Sequence, residues 1–191
     1  MYPEYIELNG TKYKINTDYR VALSCFKAIK DKQLDNFKRL VAVCTLLLGD
    51  EFPIELMPAI LDKVAIYLRC GKKENPSSDE IDMDYFQDMK YIVASFYSCY
   101  HIDIEKEEMH WWKFNELMVG FGEDEALTRV REIRNAKTSD IKDKKALDRL
   151  IKAKEAVALE IEDQMTDEQR EAHNRFDDLV FGKKGSDKDE K

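Results

Sequence analysis

The chain opens with two short runs of alternating apolar and polar residues, Tyr5-Ile6-Glu7-Leu8 and Thr11-Lys12-Tyr13-Lys14-Ile15, on either side of Asn9-Gly10. A period of two marks a strand with one covered face, and Asn-Gly takes the positive φ angles of a type I′ turn at little cost. A β-hairpin is predicted over residues 5–15. Beyond it, apolar residues recur every three or four positions, the helical period. Asn16-Thr17-Asp18 offers cap side chains for a helix from about Tyr19 to Lys30, and Asp31 for a second from about Lys32 to Leu48. The second carries the stripe Leu34, Phe37, Val41, Cys44 and Leu48 and ends at Gly49. Pro53 or Pro58 suits the first turn of a third helix, with Met57, Ile60, Leu61, Val64 and Leu68 apolar and Gly71 as its stop.

Lys72 to Glu80, with Asn75-Pro76-Ser77-Ser78, reads as a loop. A fourth helix from about Asp82 to Tyr100 sets Tyr85, Met89, Ile92, Phe96 and Tyr100 on one face. A fifth, about Glu107 to Phe121, aligns Trp111, Phe114, Met118 and Phe121, and a sixth covers about Asp124 to Asn135. The seventh, about Asp143 to Glu162, turns Leu147, Leu150, Ile151, Val157, Ala158 and Ile161 inward. Thr166 and Gln169 have capping-box spacing for a last helix ending near Phe181, before a charged tail, 183–191, expected to be disordered. The pattern therefore predicts an all-α fold with a small N-terminal β-hairpin, in one domain over residues 1–182.

Composition narrows the function classes. At 191 residues and 43% hydrophobic, the chain can build one real core. With 39 acidic against 31 basic residues, its net charge of −8 disfavours a general attraction to nucleic acid. The charge is uneven: residues 129–154 hold ten basic and four acidic side chains, and residues 79–108 hold nine acids and two lysines. Either these segments are solvated or neighbour each other within the fold, or one of them meets a second copy or an acidic partner helix. Exposed ion pairs contribute little energy, which favours the first reading. The longest apolar run, Leu40 to Leu48, is too short to span a bilayer, and Met1 to Gly10 lacks signal-peptide features. A soluble cytosolic protein is expected. Cys25, Cys44, Cys70 and Cys99 stand singly in apolar helical contexts, which suits reduced thiols.

Signatures of nucleotide binding, serine hydrolases and zinc proteases are missing from the sequence, so no catalytic residue, metal or cofactor is expected. His101 and His110 lie near the acids Asp103, Glu105, Glu107 and Glu108, and Glu107 with His110, three positions apart, come nearest to a metal-binding pair; an acid-rich helix start is the plainer meaning. Trp111-Trp112 is the most unusual local feature. Neighbours on a helix point about 100° apart, so one indole can enter the core while the other lies at its boundary, as packing or as an interface anchor. With the basic stretch that follows, this makes Trp111, Trp112, Phe114, Arg131 and Arg134 the candidate partner-binding residues. A DNA-reading helix-turn-helix in the same region is disfavoured: Ala136 to Lys142 is longer than the usual three- to four-residue turn, and the acidity elsewhere repels phosphate.

Asp103-Ile104, the string His110-Trp111-Trp112-Lys113-Phe114, Leu117, Gly120 and Ile133-Arg134 together resemble a family of siphophage proteins of Gram-positive hosts. These are encoded between the major tail protein and the tape-measure protein, and look like the tail assembly chaperones. The hairpin leading into a helix, Gly10 to Leu23, fits the family's opening, and the resemblance runs to about Ala158. It implies a non-enzymatic protein of the host cytoplasm. Such a protein binds the tape-measure protein while the tube assembles, with the major tail protein or a second copy as further partners, and is absent from the finished virion. Two other classes compete with this reading: a structural tail or head–tail connector subunit retained in the particle, and a helical nucleic-acid-binding regulator.

Overall fold

The computed structural model describes residues 1–50, 52–72 and 82–160. Among these the protein is mostly helical, with one antiparallel hairpin, β1 (Tyr5–Leu8) and β2 (Thr11–Lys14). The helices are α1 (Tyr19–Lys30), α2 (Asn36–Leu48), α3 (Met57–Leu68), α4 (Met89–Tyr100), α5 (Trp111–Val119), α6 (Ala126–Asn135) and α7 (Lys144–Ala156). The fold class is the one the hydrophobic pattern predicts. The chain forms two compact units, one holding residues 1–50, 52–72 and 108–115 and the other residues 82–107 and 116–160. Residues 73–81, which include most of the loop expected over Lys72–Glu80, as well as Ile161, the helix expected from Thr166 and the charged tail, lie outside the described residues.

In the first unit the hairpin pairs Tyr5 with Lys14 through Leu8 with Thr11, and Asn9 and Gly10 turn it with φ of 52° and 79°. Ile6, Leu8 and Ile15 are buried. Asp18 caps α1 by accepting from the Arg20 amide at 2.8 Å. The buried face of α1, Tyr19, Ala22, Leu23, Phe26 and Ile29, packs on α2, which packs in turn on α3.

Helix α2 departs from the sequence reading in two ways. It begins at Asn36, not Lys32, because Asp35 is the cap, accepting from the Lys38 amide at 2.9 Å. Asp31 instead closes a turn onto the Gln33 amide, and its carbonyl accepts from the Arg39 guanidinium at 3.1 and 2.9 Å. The buried stripe is also rotated, to Leu40, Val43, Cys44 and Leu47; Phe37 is 58% exposed, and Leu34, Val41 and Leu48 are half-buried. Both stripes have helical spacing, so periodicity fixed the element and left its phase open.

Pro53 leads a 3-10 turn, Ile54–Leu56, and Pro58 occupies the first turn of α3. Helix α3 stops at Leu68. The Cys70 amide then bonds the Tyr67 carbonyl at 3.0 Å, and the Gly71 amide bonds that of Ile66 at 2.9 Å. This is the Schellman pattern, in which Cys70 takes the left-handed conformation (φ 55°) one residue before the expected glycine.

In the second unit Ile92, Ser95 and Phe96 of α4 are buried, as are Leu127 and Val130 of α6. The Ser95 hydroxyl accepts from the Leu127 amide at 3.0 Å, satisfying one of the unpaired donors at the start of α6. Helix α4 begins at Met89 rather than Asp82. The Asp84 amide bonds Asp88, and Asp84 Oδ1 accepts from the Phe86 and Gln87 amides, so local side-chain bonds replace the first helical turns. Helices α5 and α6 are likewise shorter than expected, and α7 ends at Ala156. No residue of α7 is buried: Leu147 and Leu150 are half-buried, while Ile151 and Ala158 are exposed. The inward face expected for this helix is therefore only partly covered by α6 and the Thr138–Asp140 turn, against which it packs.

Candidate functional site

The paired tryptophans divide as their 100° separation requires. Trp111 is 1% exposed and Trp112 is half-buried. Both indole N–H groups are spent on the end of α3. Trp111 Nε1 donates to the Leu68 carbonyl and Trp112 Nε1 to the Tyr67 carbonyl, each at 2.9 Å. The last carbonyls of a helix have no partner within it, so the two side chains act as a clamp on the α3 terminus. The Trp111 ring meets Phe26 edge-on at 5.5 Å and lies against Phe114 at 5.8 Å; Phe114, fully buried, stacks on Tyr19 at 4.6 Å. Trp112 stacks on Tyr67, whose hydroxyl is buried with no hydrogen-bond partner among the described residues and whose ionisation burial pushes well up. Trp111 and Phe114 are therefore core residues. Of the aromatic candidates, Trp112 alone reaches the boundary.

The start of α5 is fixed by backbone pairing that the sequence did not announce. The Trp111 amide donates to the Thr17 carbonyl at 2.8 Å and the Tyr19 amide to the Met109 carbonyl at 2.9 Å, which makes a one-residue antiparallel bridge between Asp18 and His110. The His110 side chain caps the helix, accepting from the Trp112 amide at 3.0 Å through Nδ1. Glu107 and Glu108, expected in the first turn, precede the helix and are exposed. Among the described residues no three or more His, Cys, Asp or Glu side chains gather as a metal site.

Arg131 and Arg134 belong to the second unit and are used inside it. Arg131 Nε donates to Asp82 Oδ2 at 3.0 Å. Arg134 makes a two-pronged pair with Asp88 at 2.7 and 2.7 Å and donates to the carbonyls of Asp82 and Val157 at 2.8 and 2.6 Å. Lys154 donates to the Arg134 carbonyl at 2.7 Å. The acidic and basic segments thus meet within one fold at these positions. Asp88, the partner of Arg134, is the residue that sequence reasoning does not single out, because it lies in the acidic run without a distinguishing mark.

Four cysteines are free thiols, Cys25 and Cys44 buried and Cys70 and Cys99 half-buried. No described helix is long and apolar enough to cross a membrane. Neither a curated protein nor a solved structure matches the chain. A protein family does, across the hairpin, the paired tryptophans and the Asp88–Arg134 pair: the profile of the Bacteriophage Gp15 proteins matches residues 2–159, and the chain belongs to that family.

Proposed function

We propose that the protein is a non-enzymatic tail assembly chaperone. It binds the tape-measure protein in the host cytoplasm, keeps it soluble while tube subunits gather around it, and leaves before the virion is complete. Membership of a bacteriophage family over residues 2–159 carries this reading, since it narrows the setting to phage biology. The mostly helical described residues, among which no metal cluster gathers, are compatible with it. A tape-measure protein offers long helices, and helix recognition requires apolar anchors with a charged surround. Trp112 at the boundary and Arg131 on the exposed side of α6 are the members of the candidate set that a partner can reach; Trp111, Phe114 and Arg134 support the surfaces that carry them.

The test is co-expression with the tape-measure reading frame of the same tail-gene cluster. The expected result is a soluble complex that co-purifies, and a tape-measure protein that aggregates when expressed alone. Mass spectrometry of purified particles should lack this chain. Stoichiometric presence in the particle would replace the chaperone with a structural subunit.

A further inference from the structure

We propose that the outward face of α2 is a dimer interface, on which a second copy of the chain lays the same face antiparallel, about a two-fold axis close to Val41 and Ala42. The inference goes beyond the chaperone reading and does not depend on it.

Helix α2 carries two apolar rows, and its own unit covers one of them. Leu40, Val43, Cys44 and Leu47 are buried where α2 packs on α1 and α3. The other row is left outside. Phe37 is 58% exposed and Leu46 36%, and Val41, Ala42, Thr45 and Leu48 are half-buried. At about 100° per residue, Val41, Ala42 and Thr45 form the middle of this face, with Phe37 and Leu48 on one flank and Leu46 on the other. The small side chains in the middle let a second helix approach closely, and the larger ones on the flanks close over the contact.

The face is also bare of charge. From Leu40 to Gly49 the sequence holds no Asp, Glu, Lys or Arg. The exposed sides of α1 and α7, by contrast, carry Arg20, Lys27 and Lys30, and Lys144, Lys145 and Arg149. A helix that is apolar nearly all round belongs in an interior, and a charge-poor centre with a polar rim is the composition of a protein interface.

Charge then selects the occupant and its direction. Lys38, its side chain 64% exposed, stands at the start of the face, and exposed Asp50 lies just past its end. An antiparallel copy sets each Lys38 near the partner's Asp50. It also brings that cation to the C-terminal end of the other α2, whose last turn has no basic side chain of its own to offset the helix dipole. Parallel copies would set Lys38 against Lys38 and align the two dipoles. The face is therefore complementary to itself when turned end for end, which is the condition of a two-fold interface. Lys38 also meets Asp35 at 3.2 Å, an exposed pair worth too little to hold it back.

Sedimentation equilibrium of the full chain tests the interface. The native chain should dimerise in the micromolar range. Phe37→Ser removes one aromatic side chain from each copy and should raise the dissociation constant about a hundredfold or more, with the circular dichroism unchanged. Lys38→Glu places like charges at both ends and should weaken the dimer about tenfold at low salt; Asp50→Lys should do the same, and the two together should restore most of the affinity. A native chain that is monomeric throughout that range overturns the proposal and gives the face to another protein or to residues 161–191 of the chain itself. A dimer that Phe37→Ser leaves intact overturns it in favour of another surface, and a double charge variant as weak as the two single losses combined overturns the antiparallel arrangement. Should Phe37→Ser fail to fold, the charge exchange decides, since Lys38 and Asp50 are both exposed.

Discussion

The Asp88 carboxylate and the Arg134 guanidinium share two hydrogen bonds of 2.7 Å, one from each terminal nitrogen. The Asp88 side chain is 1% exposed and that of Arg134 11%. The neighbouring carboxylate holds the guanidinium firmly protonated. The pair ties α6 to the turn before α4. Removing one partner strands a buried charge, a loss of about 3–5 kcal/mol, whereas an exposed pair is worth about 0–1 kcal/mol. Arg134→Ala should therefore lower the urea midpoint severely, and Arg134→Lys, which keeps the charge but not the fork, should fall between it and the native chain. Arg131→Ala, breaking an exposed pair, should change little. Equal small losses for all three would show that the Asp88 site is solvated.

This pair shows where sequence reasoning stops. Charge counting found the acidic and basic segments and weighed their adjacency, but it could not separate Asp88 from Asp82, Asp84 or the other acids around it. That separation is a matter of burial, which depends on how α4 and α6 meet. The same limit moved the α2 stripe by one position: Leu40 and Phe37 both sit on helical-period apolar rows, and contact with α1 and α3 selected the row that holds Leu40. Local chemistry was legible where it was self-contained. Asn9-Gly10 specified its turn, Asn16-Thr17-Asp18 held the cap that Asp18 supplies, and the Trp111-Trp112 spacing set its one-in, one-boundary division. The clamp on α3 was not legible, because its acceptors are the backbone carbonyls of Tyr67 and Leu68, more than forty positions away.

Buried thiols set a pH and reactivity pattern. Burial pushes Cys25 up to about 12, with Cys44 nearby adding to it, and pushes Cys44 up to about 11. The thiolate is the reactive form, so at pH 8 these two should resist a thiol reagent in the native state and react only as the chain unfolds. Half-buried Cys70 and Cys99 should supply whatever prompt reaction occurs. The folded values lie above the ordinary 9.0. The unfolded chain therefore loses these protons first. The stabilising contribution is complete below about pH 9 and declines as pH rises towards about 12. Prompt labelling of all four thiols in folded protein would contradict the packing of α1 on α2.

The two indole N–H bonds separate cleanly from the indole surface. Trp111→Phe keeps most of the buried ring but leaves the Leu68 carbonyl without its donor, at a cost of about 1–3 kcal/mol. Trp112→Phe removes the bond to Tyr67 at a half-exposed position, where water can replace it and where the Cys70 amide already serves the same carbonyl. The first variant should be the more destabilised in chemical denaturation. If Trp112→Phe proves the costlier, the boundary indole and not the buried one is the main support of the α3 terminus.

Gly71 and Trp112 offer the sharpest test of that terminus, because two separable penalties fall on one substitution. Gly71 has φ of 80°, a conformation that costs an L-residue about 1–2 kcal/mol. A Cβ placed there would also lie 2.9 Å from Trp112 Cη2, closer than real contacts allow. The indole cannot simply swing aside, since its Nε1–H is held by the Tyr67 carbonyl and its ring lies on Tyr67. Gly71→Ala should thus lose both the backbone term and part of the Trp112 contact, and should alter tryptophan fluorescence in the folded state. In a Trp112→Ala background the steric part vanishes and only the backbone part remains. The double-mutant cycle should therefore show Gly71→Ala to be less costly when Trp112 is absent. An identical cost in both backgrounds would mean that the indole does not sit over Gly71. A cost near zero in both would remove the left-handed turn as well.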